Sequence, residues 1–395
     1  MVRVPWGFTL GVLVVASLSL PAGAIDGYWQ GTPGVPGDWA NPDNWTSGIP
    51  ADIAYVNNGG IAQVLSGTPS VDELHLGEAV SDSGTVQVVE GTLEAGPIIV
   101  GVSGTGLLTQ TGGTVHDGSG SSDGGAVIGM NVGSHGTYEL SDGELNLDGL
   151  VVGDHGTGHF IQSGGIVDNY SGLTIGKEQE GAGTYTISGG QLETDDLYVR
   201  HGMLNITGAD AEIRLSGGSL TFRRDASFSA VPGSTISIRY GSMFNYSEDP
   251  TNLVGLNNLT LKINNSVNNT RTFWAEVGGK DLGAVSAGFL SNFALDKLEI
   301  GHDGDPDGSK LTLSDSRDNQ PGWEGAEALY VGELLMAAGS YLDLNGLNLY
   351  YASSTIGPGA SIDLNGGSLV QIPEPGVTCM LTLCGLALLR RRRMA

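Results

Sequence analysis

The sequence predicts an all-β fold: an elongated parallel β-helix, or β-solenoid, built from coils of roughly 24 residues. Three observations predict it. Glycine supplies 65 of the 395 residues, about twice the usual ~7 % share, and it lacks the every-third-residue period of collagen. Strand-forming Val, Ile and Thr are abundant between these glycines. A unit of three short strands also recurs in register, most plainly in residues 173–193, LTIGKEQEGAGTYTISGGQLE.

Residues 1–24 are predicted to be a secretory signal peptide. Arg3 precedes an apolar run over about residues 8–20, and Ala22-Gly23-Ala24 fits an A-x-A cleavage site. A transmembrane anchor is the alternative, but this run is shorter than the ~20 residues that span a bilayer. We therefore expect the body of the protein to be exported.

Residues 25–50 are rich in turn formers and contain Trp29, Trp39 and Trp45. We expect this segment to cap the solenoid, because the first coil would otherwise expose its core and its strand edges. The alternative is a platform on which the three indole rings stack against a sugar. That platform would make the segment a carbohydrate-binding module.

Residues 51–218 carry the regular repeat. The glycine that closes an LxVG-type strand recurs at intervals of 24, 28, 24 and 23 residues, and Arg200 takes its place after a further 24. The five glycines are Gly77, Gly101, Gly129, Gly153 and Gly176. A second strand contributes an apolar column, as an inward-facing strand position requires. The column consists of Val86, Leu108, Tyr138, Phe160 and Tyr185.

The period blurs in residues 219–297. Strands such as LTLKI at residues 259–263 stand between turns rich in Asn, Gly and Ser. We expect longer, irregular β coils here, with a small separate β domain as the alternative. The pattern restarts with LEIG at residues 298–301, and residues 298–372 are predicted to complete the solenoid with shorter coils.

The charge of the body excludes several partners. Residues 25–372 contain 12 Lys and Arg against 42 Asp and Glu, a formal charge of −30, and residues 25–176 contain no Lys or Arg at all. Nucleic acid is therefore not an expected partner, since binding it needs a basic surface. Polyanionic sugars would be repelled for the same reason, whereas divalent cations would be attracted.

One acidic segment resembles the start of a calcium loop. In HDGDPDGSK, Asp303, Asp305 and Asp307 precede Gly308 as in a D-x-D-x-D-G loop, but the twelfth position holds Ser314 instead of an acidic residue. A solvated turn is the favoured interpretation, and weakly bound calcium is the alternative. We predict no other cofactor.

A carbohydrate-active enzyme is the alternative function, because β-helices also carry polysaccharide lyases and hydrolases. Cleavage of a neutral glycan needs two carboxylates about 5–10 Å apart in a groove, and 42 acidic residues offer many such pairs by chance. Residues 25–176 cannot supply the Lys or Arg that a lyase acting on uronates would use. We predict no catalytic residues.

Residues 373–395 combine three ordered features. A Pro-Glu-Pro tripeptide precedes an apolar stretch at residues 376–389, which would make a helix of about 21 Å against a ~30 Å hydrocarbon core. A basic cluster follows, and the positive-inside rule places it in the cytoplasm. The residues of the two motifs are Pro373, Glu374, Pro375, Arg390, Arg391, Arg392 and Arg393.

This tail resembles the PEP-CTERM sorting signal of Gram-negative bacteria. The resemblance implies that an exosortase, a membrane transpeptidase-like enzyme, recognises the tail, and that the protein accompanies extracellular polysaccharide. The repeats also resemble the Gly-rich β-solenoid repeats of other exported proteins. We therefore expect a non-enzymatic structural or adhesive protein of the cell surface or extracellular matrix, anchored at least transiently in the membrane by its C-terminal helix.

Overall fold

The structure is a computed structural model that describes residues 25–117, 125–301 and 308–372. These residues form an all-β, parallel β-solenoid of about 14 turns with only 5 % helix. The predicted fold class is therefore confirmed. The predicted signal peptide (residues 1–24) and C-terminal transmembrane helix (residues 376–389) lie outside the described residues.

Thirty-three strands and three short 3₁₀ helices make up the described chain. The first sixteen strands are β1 (Gly27–Tyr28), β2 (Pro36–Asp38), β3 (Ile53–Val56), β4 (Asn58–Val64), β5 (Ser70–Val71), β6 (Glu73–Leu76), β7 (Ser83–Val88), β8 (Thr92–Ala95), β9 (Ile98–Val100), β10 (Thr105–His116), β11 (Ala126–Ile128), β12 (His135–Leu147), β13 (Leu150–Val152), β14 (Thr157–Gln162), β15 (Ile166–Ile175) and β16 (Ala182–Ile187).

The remaining strands are β17 (Gln191–Val199), β18 (Gly202–Ile206), β19 (Glu212–Leu215), β20 (Leu220–Phe222), β21 (Ser227–Ala230), β22 (Ser234–Ile238), β23 (Met243–Asn245), β24 (Leu259–Ile263), β25 (Trp274–Glu276), β26 (Gly279–Lys280), β27 (Leu295–Ile300), β28 (Lys310–Ser314), β29 (Glu327–Met336), β30 (Tyr341–Asp343), β31 (Asn348–Ile356), β32 (Ser361–Asp363) and β33 (Ser368–Gln371). The 3₁₀ helices are η1 (Pro42–Asn44), η2 (Pro250–Asn258) and η3 (Ser286–Phe289).

All described strands except β26 stack into three parallel ladders, one on each side of the solenoid, and β26 pairs antiparallel with β29. The first ladder runs the whole described length as β1-β3-β6-β9-β11-β13-β15-β17-β20-β23-β25-β28-β30-β32. The second runs β2-β4-β7-β10-β12-β14-β16-β18-β21. The third runs from β5 through β8, β10, β12, β15, β17, β19, β22, β24 and β27 to β29, β31 and β33. Long strands such as β10 and β17 turn a corner and so contribute to two ladders.

Inward-facing columns form the core. Val86 pairs with Leu108, and the same ladder position continues through Tyr138 and Phe160 to Tyr185. All five side chains are fully buried. The apolar column that the sequence predicts is therefore confirmed. Its aromatic members stack almost in parallel, with ring centroids 4.9 Å apart between Tyr138 and Phe160 and 4.6 Å apart between Phe160 and Tyr185.

Buried glutamines satisfy the hydroxyl groups of these tyrosines. Tyr138 Oη donates to Gln110 Oε1 at 2.7 Å, and Tyr185 Oη donates to Gln162 Oε1 at the same distance. The Gln162 amide also donates to the backbone carbonyl of Gln191, 3.0 Å away. A buried polar group costs stability unless it is hydrogen-bonded, so each Gln–Tyr pair lets the core hold a tyrosine.

The repeat glycines form corners, as the sequence pattern indicates. Gly77, Gly101, Gly129, Gly153 and Gly176 all have a positive φ, between 66° and 80°. Gly153 shows why the residue is required: a Cβ there would lie 2.5 Å from the backbone nitrogen of Gly183 in the next coil. Left-handed backbone and close contact between coils both favour glycine at this position.

The ladders continue through residues 219–297, where the sequence period blurs. β20 pairs with β23 in the first ladder, and β22 pairs with β24 in the third. The second ladder ends at β21, and helix η2 packs against that strand. The period is hard to recognise in the sequence because paired positions lie farther apart here: Met243 pairs with Ala275, 32 residues on, and Lys262 pairs with Glu299, 37 residues on.

Candidate functional site

The N-terminal tryptophans form a packed cluster at the first coil. Trp29, Trp39 and Trp45 are 3 %, 1 % and 1 % exposed. The rings of Trp29 and Trp39 both meet Trp45 edge-on, with centroids 4.9 and 4.8 Å away, and Trp45 Nε1 donates to the Trp39 carbonyl at 2.9 Å. This geometry fits the cap interpretation. A sugar-stacking platform needs ring faces open to solvent, and these three rings are covered.

Two of the predicted sites fall outside the described residues. These are the calcium-loop carboxylates of Asp303, Asp305 and Asp307, and the tail motif of residues 373–395. Within the described ranges, no cluster of three or more His, Cys, Asp or Glu side chains could hold a metal ion. Within the same ranges, no helix has the length and apolar character needed to cross a membrane.

A cluster of polar side chains lies where glycine no longer occupies the corner column. In the first ladder, from β6 to β23, the backbone N–H after each strand donates to the preceding coil, as when the Gly176 N–H donates to the Val152 carbonyl at 2.8 Å. The next three residues in this corner column are Arg200, Arg223 and Tyr246, and their N–H groups make the same bond at 2.8–2.9 Å. The corner column thus changes from glycine to large polar side chains.

These side chains open onto a cleft of 680 Å³ on the side of the solenoid. Four of the seven arginines in residues 25–372 line it. Three carboxylates are also present, so the cleft carries a formal charge of about +1 on a body of −30. The lining residues are Arg200, His201, Arg223, Arg224, Asp225, Tyr246, Glu248, Arg317, Asp318 and Pro321.

Two guanidinium groups converge on one aromatic ring. The Cζ atoms of Arg223 and Arg317 lie 4.6 and 4.7 Å from the ring centroid of Tyr246, within cation–π distance. Arg224 forms an ion pair with Glu248. The Arg200 guanidinium makes no hydrogen bond or ion pair with any part of the chain that the structure describes. The cleft therefore contains three guanidinium groups that make ion-pair or cation–π contacts with other side chains and one, that of Arg200, that makes no such contact with the described residues.

A buried carboxylate holds Arg317 in the cleft. Glu276 is 5 % exposed and accepts hydrogen bonds from the backbone N–H groups of Ser316 and Arg317, at 2.6 and 2.7 Å. The Ser316 hydroxyl donates to the same carboxylate at 2.9 Å. These three hydrogen bonds fix the backbone from which the Arg317 side chain extends.

Arg317 lies in the loop between β28 and β29, and one buried amide of this loop bonds to the coil of Tyr246. Asn319 Nδ2 donates to the carbonyls of Asn245 and Ser247 at 3.1 and 2.7 Å, on either side of the tyrosine. The Asn319 N–H donates to Glu327 Oε1 at 2.7 Å. Burial, and secondarily the nearby carboxylate of Asp315, raises the pKa of Glu327 to about 8.

Glu327 does not meet the requirement of the enzyme hypothesis for paired carboxylates in a groove. Its side chain is 5 % exposed and does not line the arginine cleft. Its hydrogen bond to Asn319 instead places it in the framework beneath the loop. Glu276 is equally buried and has the same framework role.

Only part of this cleft could have been found from the sequence. Arg200 stands at a glycine position of the repeat, which is a visible departure from the pattern. Arg223 and Tyr246 follow at intervals of 23 residues, the length of a coil, so extending the column would have found them. Arg317 follows Tyr246 by 71 residues and reaches the cleft only through its loop. No sequence period signals that contact.

No protein-family model matches this chain, and no curated protein or solved structure is significantly similar to it.

Proposed function

We propose that this protein is an exported structural component of the cell surface or extracellular matrix, in which the solenoid acts as a rigid acidic spacer. The uninterrupted first ladder carries the proposal. Its 14 strands, at the strand spacing of ~4.8 Å, give a rod of roughly 65 Å. Each coil contacts its neighbours through backbone hydrogen bonds and a continuous core, which supports a stiff rod.

The charge of the rod supports a role in a hydrated matrix. A formal charge of −30 on residues 25–372 keeps copies apart and attracts divalent cations. Such cations can bridge the carboxylates to extracellular polysaccharide. The tail resembles a PEP-CTERM signal, so we propose that an exosortase-type enzyme sorts the protein and that residues 376–389 hold it in the membrane at least transiently.

Fractionation of producing cells tests the sorting step. The intact chain should remain with the envelope or the matrix, and a chain lacking residues 373–395 should be released into the medium. A variant with Pro373, Glu374 and Pro375 replaced by alanine keeps the apolar stretch, so it separates recognition from anchoring. If the truncated chain stays as firmly cell-associated as the intact one, the sorting proposal is wrong.

A shortened rod tests the spacer role. Deleting residues 102–176 joins Gly101 to Lys177 in equivalent corners and removes three coils, or roughly 14 Å of rod. Matrix cohesion in a strain carrying only this variant should fall between that of the intact strain and a deletion strain. Cohesion that does not change with rod length, while the variant is exported at normal levels, contradicts the spacer role.

A further inference from the structure

We propose that the arginine cleft binds the carboxylate groups of an acidic polysaccharide, such as a polyuronate. This inference rests on the proposed function, because it assigns a ligand class to a protein of the polysaccharide matrix. The cleft lies on the side of the rod and is open to solvent: Arg223, Arg224 and Arg317 are exposed and Arg200 is half-buried. Its volume of 680 Å³ falls within the range of about 300–1,000 Å³ that is usual for ligand sites.

The chemistry of the lining favours a carboxylate. A guanidinium group presents planar, paired N–H donors that match the two oxygens of a carboxylate. Arg200 has no described partner for these donors. The Tyr246 ring orients Arg223 and Arg317. One Arg317 nitrogen donates to Tyr246 Oη at 3.5 Å, and its other N–H groups, like those of Arg223, have no hydrogen-bond acceptor within the described residues. Stacking on an aromatic ring and binding an anion therefore use different parts of the same group.

The spacing of the arginines favours a polymer over a single anion. Arg200 and Arg223 occupy the same corner of adjacent coils, and coils repeat at about 4.8 Å along the rod. Positive groups that repeat at this short interval suit a ligand whose negative groups also repeat at short intervals. A chain of uronate residues has that property, whereas one phosphate or sulfate ion does not.

Screening allows an acidic rod to bind an acidic chain locally. The composition predicts that polyanionic sugars are repelled, and this expectation fits residues 25–176, which have no Lys or Arg. At physiological ionic strength the Debye length is about 8 Å, so charges several coils away are largely screened. Within the cleft itself, four arginines face three carboxylates. A short stretch of the glycan would therefore be held here, and the rest of it would extend away from the rod.

The framework beneath the cleft supports binding because the donors are fixed in advance. Glu276 and Asn319 hold the Arg317 loop against the coil of Tyr246 through buried hydrogen bonds. A site whose side chains are already positioned loses less conformational entropy when the ligand binds.

Titration of the full-length exported protein with oligogalacturonate tests this inference, followed by calorimetry or fluorescence anisotropy. We expect saturable binding that weakens as salt is added, and a loss of at least tenfold in affinity for Arg223→Gln and for Arg317→Gln. Arg214→Gln is the matched control, since it removes the same charge from an arginine outside the cleft. Its affinity should stay within twofold of the wild-type value.

Three outcomes would overturn the inference. Equal binding of fully methyl-esterified oligogalacturonate would show that carboxylates are not recognised. An equal loss in the Arg214→Gln control would show general electrostatic attraction. Absence of oligouronate binding, together with self-association of the protein that Arg223→Gln abolishes, would show that the arginines bind carboxylates of a second copy. None of these outcomes changes the result expected from cell fractionation or from the shortened rod. The sorting and spacer proposals are therefore tested independently of this one.

Discussion

The first and second halves of the solenoid have the same backbone architecture but differ in their charged residues and in the residues at their corners. Residues 25–176 have 18 carboxylates and no Lys or Arg, and glycine occupies five successive corners of the first ladder, from Gly77 to Gly176. Residues 177–372 hold all 12 Lys and Arg of the body, and Arg200, Arg223 and Tyr246 occupy the equivalent corners. The buried carboxylates of Glu276 and Glu327 also lie in this second half.

The repeat and the departures from it therefore have separate roles. Where glycine occupies the corner, coils approach so closely that no side chain fits, and the surface offers little chemistry there. Where arginine replaces it, the same ladder bond is kept and a cationic side chain projects to solvent. A repeat fold can thus gain a site at a corner without changing its core.

The largest effect should follow from breaking a glycine corner. Gly153→Ala places a Cβ 2.5 Å from a backbone nitrogen of the next coil, at a φ of +74°. Left-handed strain and the clash together should lower the free energy of unfolding by about 4 kcal/mol. Denaturant unfolding followed by circular dichroism measures this change.

Gly133→Ala is the control for that experiment. Gly133 has a similar φ of +83°, but a Cβ added there would have no atom within 4 Å. Only the left-handed strain remains, so we expect a loss of about 1 kcal/mol. Equal losses at the two glycines would mean that close approach of the coils does not constrain the corner.

The second half should show a pH dependence that Glu327 controls. Its pKa is about 8 in the folded protein against an ordinary 4.5. Between these pH values the unfolded chain has lost the proton and the folded chain retains it, so stability falls as the pH rises. Relative to Glu327→Gln, the wild-type protein should lose roughly 4 kcal/mol over this interval.

Glu324→Gln serves as the matched variant, because Glu324 is an exposed glutamate of the same segment. Its stability should follow the wild-type pH profile. A wild-type profile that is parallel to that of Glu327→Gln between about pH 5 and pH 8 would show that the folded carboxyl ionises at its ordinary pH. Burial would then not control its titration.

Much of the fold could be predicted because it depends on local periodicity. The apolar column from Val86 to Tyr185 could be predicted, because each coil repeats the same inward-facing position. The burial of Trp29, Trp39 and Trp45 could not be decided in this way. Composition shows that aromatic rings are present, but their exposure depends on whether the cap folds over the first coil.

The cleft could be predicted only in part, for a related reason. Arg200 and Arg223 belong to a column with the period of a coil, which extends into the region where η2 interrupts the second ladder. Arg317 depends on hydrogen bonds between residues about 40 apart, such as that from its N–H to Glu276. Contacts at that separation follow from three-dimensional packing and leave no pattern in the sequence.

The smallest effect on folding should come from the arginine corner itself. Arg200 is not among the residues with positive φ, and its guanidinium group has no described partner. Arg200→Ala should therefore change the free energy of unfolding by less than about 0.5 kcal/mol, as measured by the same denaturant unfolding. A loss above ~2 kcal/mol would make Arg200 a structural corner like Gly153. An unchanged free energy of unfolding for Arg200→Ala, beside a large loss for Gly153→Ala, would show that the fold does not require this arginine. Arg200 would then have a role other than stabilising the fold.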